Sequence, residues 1–510
     1  MSQMRAGLSN RGNPGESSLT PLFRIRLSPW RELPCIRHSR QHDIGLFCAR
    51  PEPSSSAVMT AQTDSRSRDV QTERLLTAPI LPVMLSLAGP TLLVMLSQTF
   101  VGLMEVWFLS QLGEDVLAGV SVVFPLLALT TALATGAVGG GMLGAVARAL
   151  GRNDRVQANA LVWHAVAIAV AFGLVTAGLV LAFGTVAFSA MGASGEALAH
   201  ADHYAAVVFG GAPLIWLFNA LLAVIRGSGN VRLPMRVVCG GGVILIPVSW
   251  LLIFGAAGFR GLGVTGGALA MVLYYAVGSL VFAIYLWRGQ GVLQPAARPV
   301  RLQRRLFADI LKVGGVSALI ATSTNLTIAI VTGYVGPYGL AAVAGYGAAA
   351  RLEFLLVPLS FGIGGPAAIL IGTNAAAGRI DRARRAALIA ACLGFGVAET
   401  IGLVVAIWPE LWLGAFLTDP ESVATGSVYL RHVGPFFGFF GLGFTQYCAA
   451  QGTGKMAVPL AGALARTGVA LGGGLIATTQ TGLFVSVGLG MAAFGAAGLY
   501  ALLRDCRKQE

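Results

Sequence analysis

Long apolar stretches, each broken by a short polar turn, run through this chain from about residue 80 to about residue 505. Crossing a hydrocarbon core of ~30 Å takes about 20 helical residues. On that rule the pattern predicts twelve membrane helices. Six lie at 82–110, 116–147, 158–188, 198–225, 231–256 and 262–287, and six more at 309–334, 340–371, 384–408, 425–450, 456–477 and 480–503. The expected fold is an all-α membrane protein of two pseudo-symmetric six-helix lobes, 76–287 and 307–503, with a linker at 288–306 and a tail at 504–510.

The polar turns carry an internal repeat. Arg226-Gly227-Ser228-Gly229-Asn230, with Pro234 after it, returns about 225 positions later as Gln451-Gly452-Thr453-Gly454-Lys455, with Pro459 after it. Gly151-Arg152-Asn153-Asp154-Arg155 is echoed by Gly378-Arg379-Ile380-Asp381-Arg382, and Leu112-Gly113 before Leu117-Ala118 by Val335-Gly336 before Leu340-Ala341. Two copies of one helical unit are a usual plan for a secondary transporter, with the site between or inside the halves.

Charge in the turns alternates. Arg148, Arg152 and Arg155 follow the second span, and Arg226, Arg232 and Arg236 flank the join of the fourth and fifth. Arg288, Arg298, Arg301, Arg304 and Arg305 fill the linker, Arg379, Arg382, Arg384 and Arg385 follow the eighth span, and Arg504, Arg507 and Lys508 close the tail. The intervening turns hold Glu114, Asp115, Glu196, Asp419 and Glu421, with Arg260 and Arg431 as exceptions. Lys and Arg are retained on the cytoplasmic side, so both termini and the linker are expected there, in an inner (plasma) membrane. Both halves then enter from the same side, which makes them parallel repeats.

Composition agrees. Hydrophobic residues make up 55% and charged residues 11%, and the mean hydropathy is +0.74. A soluble protein commonly has about a quarter of its residues charged, so the outer surface of this one must face lipid. The net charge of +13 is placed in turns, so its expected partners are the bilayer and a small-molecule substrate rather than nucleic acid. The linker charge suits topology and anionic headgroups. The six cysteines form no CxxC pair, and Cys239, Cys392 and Cys448 inside spans read as small buried hydrophobes. Residues 1–75, rich in Arg, Ser and Pro, are expected to be a disordered or artefactual leader, with Met59 as an alternative start.

Several phrases in this order resemble the multidrug and toxic compound extrusion (MATE) family over about residues 80–505. They are Leu87-Ala88-Gly89-Pro90, Gln98-Thr99-Phe100 and Glu105 before Leu112-Gly113 in the first span, and Arg226 to Asn230 after the fourth. Arg351-Leu352-Glu353, Gly372-Thr373-Asn374 and Gly378 to Ala383 belong to the eighth and its exit, and Gln451 to Lys455 to the tenth. The resemblance implies two lobes that open alternately to the two sides, and export of bulky, often cationic or amphipathic compounds against H+ or Na+. No cofactor beyond that coupling ion is expected, the chain is not read as an enzyme, and a monomer is expected. There is no GxxxxGK[ST] loop for ATP and no metal-spaced His/Cys cluster.

Carboxylates within a bilayer cost on the order of 2.5–3.5 kcal/mol, so they face a cavity or a partner. Glu105, Glu353 and Glu399 are the three candidates. The resemblance gives Glu105 the place of an aspartate proposed to take up the coupling ion. A proton carrier needs an acid that holds a proton near neutral pH, and an apolar setting is one way to make one. A solvated carboxylate near the headgroups is the alternative for Glu105. The family's fifth-span polar pair is represented here by Leu245 and Ser249, so no second acid stands beside it. Arg351 and Glu353, two apart on a helix, point about 200° from one another and cannot pair. Arg351 is expected to meet Glu399, in a network that is either a lock in the second lobe or the coupling site. Gln98, Asn219, Ser249, Asn325, Gln446 and Tyr447 are the candidate cavity-lining residues, with Thr322 and Thr324 beside Asn325; the alternative for each is helix-to-helix bonding. The run of Phe436, Phe437, Phe439, Phe440 and Phe444 suits either cation–π contact or packing.

A flippase for lipid-linked or polysaccharide precursors shares the two-lobe plan. It would call for cations at mid-depth, where Arg351 and Arg466 are the main ones. A membrane enzyme or receptor would need clustered catalytic groups or a soluble ligand domain.

Overall fold

The computed structural model describes residues 70–256 and 258–507. The expected leader falls mostly outside them, but its last residues open a helix, α1, at 70–77. Pro79 ends that turn, because a residue before proline avoids the helical region, and α2 (Ile80–Ser110) follows. The first half continues with α3 (Glu114–Ala132), a π-helical turn at Leu133–Val138, α4 (Gly139–Gly151), α5 (Arg155–Ala190), α6 (Gly195–Gly210), α7 (Ala212–Gly227), α8 (Arg232–Phe254) and α9 (Val264–Trp287). A two-residue hairpin, Gly255–Ala256 with Phe259–Arg260, closes α8. The second half runs α10 (Arg304–Val335), α11 (Leu340–Ala376), α12 (Ile380–Ile407), α13 (Glu410–Leu413), α14 (Pro420–Val433), α15 (Phe437–Thr453), α16 (Ala457–Ile476) and α17 (Gln480–Arg507).

Among the described residues ten helical segments are long and apolar enough to cross a membrane, and the α6–α7 pair, bent by 46°, makes an eleventh if it is one span. The tenth expected span is likewise broken, by a 3-10 turn at Gly434–Phe436. Its first piece, α14, carries Glu421, Arg431 and His432 and is too short and polar to qualify alone. A glycine and a proline flank both breaks, Gly211 with Pro213 and Gly434 with Pro435. Proline cannot donate to the helix ladder, yet Gly89-Pro90 and Gly365-Pro366 lie within continuous helices, so the pair permits a break without forcing one.

The repeat is present in the backbone. Gly229 (φ 86°) and Gly454 (φ 80°) close the matching turns after α7 and α15. Asn153 (φ 56°) and Gly378 (φ 75°) stand after α4 and α11, again about 225 positions apart. Gly113 (φ 126°), however, matches Gly339 (φ 103°), the residue that starts α11, and not Gly336. Only a residue without Cβ accepts such a φ easily, and that requirement fixes the register where the neighbouring Leu-Ala pairs mislead.

The lobes meet at one end. There α4 packs against α10, α11 and α15, and α2 packs against α11. A shared core joins Leu75, Met84, Leu87, Leu143 and Val231 to Ala367, Ile371 and Ala386. The arginine-rich turns gather at this end, as contacts of Gly151 with Thr373 and of Arg148 with Asp309 require. The linker is packed rather than loose: Val292 and Leu293 are buried. His164, buried on α5, accepts from the Gln303 amide at Nε2 (2.8 Å), so Nδ1 carries the proton that it gives to the Ala160 carbonyl (2.8 Å).

Candidate ion-coupling and substrate sites

Glu105 projects from α2 into the first lobe and is only 5% exposed. The Tyr204 hydroxyl of α6 donates to its Oε1 at 2.7 Å. Its Oε2 has no hydrogen-bond partner among the described residues. Beside it lies a cavity of about 10 Å³ walled by Met104, Phe108, Leu245, Ser249, Gly267 and Met271, at the lower limit for one water. Leu245 and Ser249 thus stand next to the acid, and no cation pairs with it among the described residues. A buried carboxyl group with one idle oxygen costs free energy unless a proton or ion satisfies it.

Glu353, on α11, is arranged differently. Arg466 of α16 donates to its Oε2 at 2.8 Å, and both side chains are 5% exposed or less. Tyr429 of α14 donates to its Oε1. The Arg466 guanidinium lies over the Phe440 ring, 5.0 Å from its centre. The two tyrosines are themselves a repeat pair, 204 and 429, but they serve acids carried by different helices.

The expected pairing of Arg351 with Glu399 is not made. Arg351 is exposed, on the opposite face of α11 from Glu353, and forms no ion pair among the described residues. Glu399 accepts from the Gly438 amide at 2.8 Å. That amide belongs to the first turn of α15, whose N–H groups have no partner within the helix, so Glu399 caps the helix restarted after the break at Gly434–Phe436.

At the junction of the lobes, Arg148 forms a third cluster. It donates to Asp309 (2.7 Å) and to the carbonyls of Gln451 (3.1 Å) and Gly452 (2.9 Å) at the end of α15. Those carbonyls form the negative end of the α15 dipole. The Gln451 side-chain nitrogen shares its two N–H groups among the Gly136 carbonyl in the π-helical turn (2.8 Å), the Ser317 hydroxyl (3.0 Å) and the Tyr447 hydroxyl (2.8 Å). A Cβ at Gly144 would run into the Gln451 carbonyl.

Two lobes built on one repeat, each enclosing a buried acid, are the setting for the comparisons with known proteins. The MatE family model matches residues 90–251 and 316–476, one copy in each half. The chain belongs to the MatE family. It is a MATE transporter, not an enzyme. A FAD transporter of Shewanella oneidensis is 26% identical over 356 residues, covering 70% of this chain and 78% of that one. The multidrug export protein MepA of Staphylococcus haemolyticus is 25% identical over 382 residues, covering 74% and 82%. Among solved structures, an outward-facing multidrug resistance MATE family transporter superposes with a TM-score of 0.76 at 23% identity, over 85% of this chain and 97% of that one.

Within this MATE fold the remaining polar candidates separate. Asn219 is buried and binds Thr135 (2.8 Å) and the Ile215 carbonyl (2.8 Å). Gln446 is buried and ties α15 to the Ala387 carbonyl of α12 at 3.0 Å. Tyr447 stands at the lobe junction, and Gln98 is half-buried. Asn325 is exposed and donates to the Ala321 carbonyl at 2.9 Å. Phe437 and Phe440 are buried in the second lobe's core with Phe436 and Phe444 packed against it, so packing accounts for most of that run. Sequence reasoning missed Tyr204 and Tyr429 and took Arg148 only as a topology signal; the recurrence of a tyrosine at the repeat interval was the available clue.

Proposed function

We propose that this MATE transporter exports organic, cationic or amphipathic compounds across the plasma membrane in exchange for H+ or Na+, with Glu105 as the group that takes up the coupling ion. The carrying observation is the contrast between the acids: among the described residues Glu105 has an unpartnered oxygen and no cation, whereas Glu353 is neutralised by Arg466. Export of multiple drugs is supported by the name of the staphylococcal relative, and the Shewanella relative adds a flavin nucleotide to the compounds worth testing. The arginine-rich end, where the lobes are joined, is assigned to the cytoplasm on charge, and the protein acts as a monomer. A precursor flippase is less well supported, because Arg466 is engaged by Glu353.

The test is Glu105→Gln, which keeps size and hydrogen bonding but removes the titratable charge. Efflux of a cationic dye from proteoliposomes is driven by an imposed pH gradient, then by a sodium gradient alone. Glu105→Gln should abolish efflux under whichever gradient drives the parent, at parent-like yield and melting. If Glu105→Gln transports as well as the parent while folded Glu353→Gln does not, the coupling site lies in the second lobe.

A further inference from the structure

The two repeat-related turns at the lobe junction are closed by different means. The turn at Gly454 is held across the junction by Arg148, whose Nη1 would lie 3.6 Å from a Cβ there. At Gly229 the nearest atoms come instead from Leu75 and Gln71 of α1. Leu75 from α1 sits on it, with Cδ1 2.9 Å from where a Cβ would be. Leu75 is 4% exposed and belongs to the core that joins the lobes.

The backbone of α1 is held from the other lobe. Asn374, at the end of α11, donates to the Leu75 carbonyl at 3.1 Å and is wholly buried. Arg379 donates to the Leu76 carbonyl at 2.8 Å, and Arg382 to the carbonyls of Leu75 and Ala78. The Leu75 and Leu76 carbonyls belong to the last turn of α1, whose carbonyls have no partner within the helix and carry its negative dipole end, and Ala78 follows directly, so cationic donors suit this end. One residue thus places its side chain in the first lobe's turn and its carbonyl in the grip of the second lobe.

We propose that α1 is a latch that holds the arginine-rich mouth between the lobes shut, and that it must let go of Asn374, Arg379 and Arg382, or lift Leu75 from Gly229, before the mouth opens. The bend at Ala78-Pro79 gives it a hinge: proline fixes its own φ and breaks the helix there, so α1 swings without unwinding α2. Arg148 and α1 are two fastenings on two repeat-related turns, one ionic and one part of the chain itself. The proposal rests on the reading that the lobes open alternately, and not on Glu105.

The experiment reads the mouth directly. In the full chain with its native cysteines replaced, Ser317→Cys places a thiol in the junction, where Ser317 is wholly buried. Its rate of reaction with a membrane-impermeant maleimide is measured in inverted vesicles, without substrate or ion gradient, so failure of the coupling assignment leaves this result intact. Leu75→Ala should raise the rate by about tenfold or more, since truncating a buried leucine that only the closed state buries shifts the population strongly. Arg382→Gln, which loosens the hold from the second lobe, should raise it in the same direction. Val70→Ala, at an exposed position of α1, should leave it unchanged. Rates for Arg382→Gln and Leu75→Ala equal to the parent, at parent-like melting, overturn the latch. Should Leu75→Ala not fold, an unchanged rate in Arg382→Gln alone overturns it.

Discussion

Removing Arg466 takes away the cation that neutralises Glu353, and the consequence depends on which partner is removed. Breaking a buried pair costs about 3–5 kcal/mol, because one charge is left uncompensated. Arg466→Met strands a carboxylate, which has an escape by taking a proton. At about pH 7 that costs an ordinary glutamate about 4 kcal/mol, and about 1.4 kcal/mol less for each unit of acidification. Glu353→Gln strands a guanidinium, which cannot shed its proton, so acid brings it no relief. Changing both together removes both charges, and such replacements are often neutral; the introduced amide oxygen still accepts from Tyr429. The assay is the melting midpoint of purified protein at about pH 7 and about pH 5.5. At the higher pH the parent and the double variant should melt together, several degrees above Arg466→Met and further above Glu353→Gln. At the lower pH Arg466→Met should close on the parent while Glu353→Gln does not. A Glu353→Gln protein that melts with the parent, or an Arg466→Met protein that falls further behind in acid, refutes the view that this pair locks the second lobe.

Three further outcomes are expected. Reporter fusions after Arg305 and after Lys508 should both report the cytoplasm, and an external signal at either would reverse the assigned orientation. Gly144→Val places a branched side chain against the Gln451 carbonyl; it should hold the lobes apart, speeding maleimide reaction at Ser317→Cys, and an unchanged rate would show that the junction is not closely packed there. Asp419 caps α14 by accepting from the Ser422 hydroxyl and amide, which hold its carboxyl below the usual range. A lowered value means its contribution is present above the ordinary carboxylate range and lost as pH falls through the folded value. Asp419→Ala should therefore melt below the parent at neutral pH and with it in strong acid, and a gap that persists in acid would assign the loss to something other than the charge.

The spans were legible because length and apolarity set them directly. Their breaks were not: a glycine and a proline flank each one, at Gly211 with Pro213 and at Gly434 with Pro435, but Gly89-Pro90 and Gly365-Pro366 lie inside unbroken helices, and a hydropathy window runs over all four. Glu105 and Glu353 stand out as costly charges, but their partners do not: Tyr204, Tyr429 and Arg466 arrive from helices remote in sequence, and hydropathy carries no information on which helices touch. Arg351 and Glu399 are equally conspicuous in the sequence, and the helical angle between Arg351 and Glu353 correctly separates them. That angle cannot say that Arg351 faces outward or that Glu399 faces a helix start. Arg148 reads as one topogenic arginine among many until α15 is seen to end against it.

The doubling of this chain kept the tyrosine on both sides and changed which helix brings the acid to it. In one lobe the acid was left chemically unfinished, and in the other an arginine completed it. Under the coupling role proposed for Glu105, uptake or loss of its charge would alter the attractions among α2, α6, α8 and α9 while leaving α11, α14 and α16 as they were. Such a molecule behaves less like two mirror-matched jaws than like a spring seated against an anvil. Under that proposed role one half would change shape in response to chemistry, and the other would supply the fixed surface against which that change becomes movement.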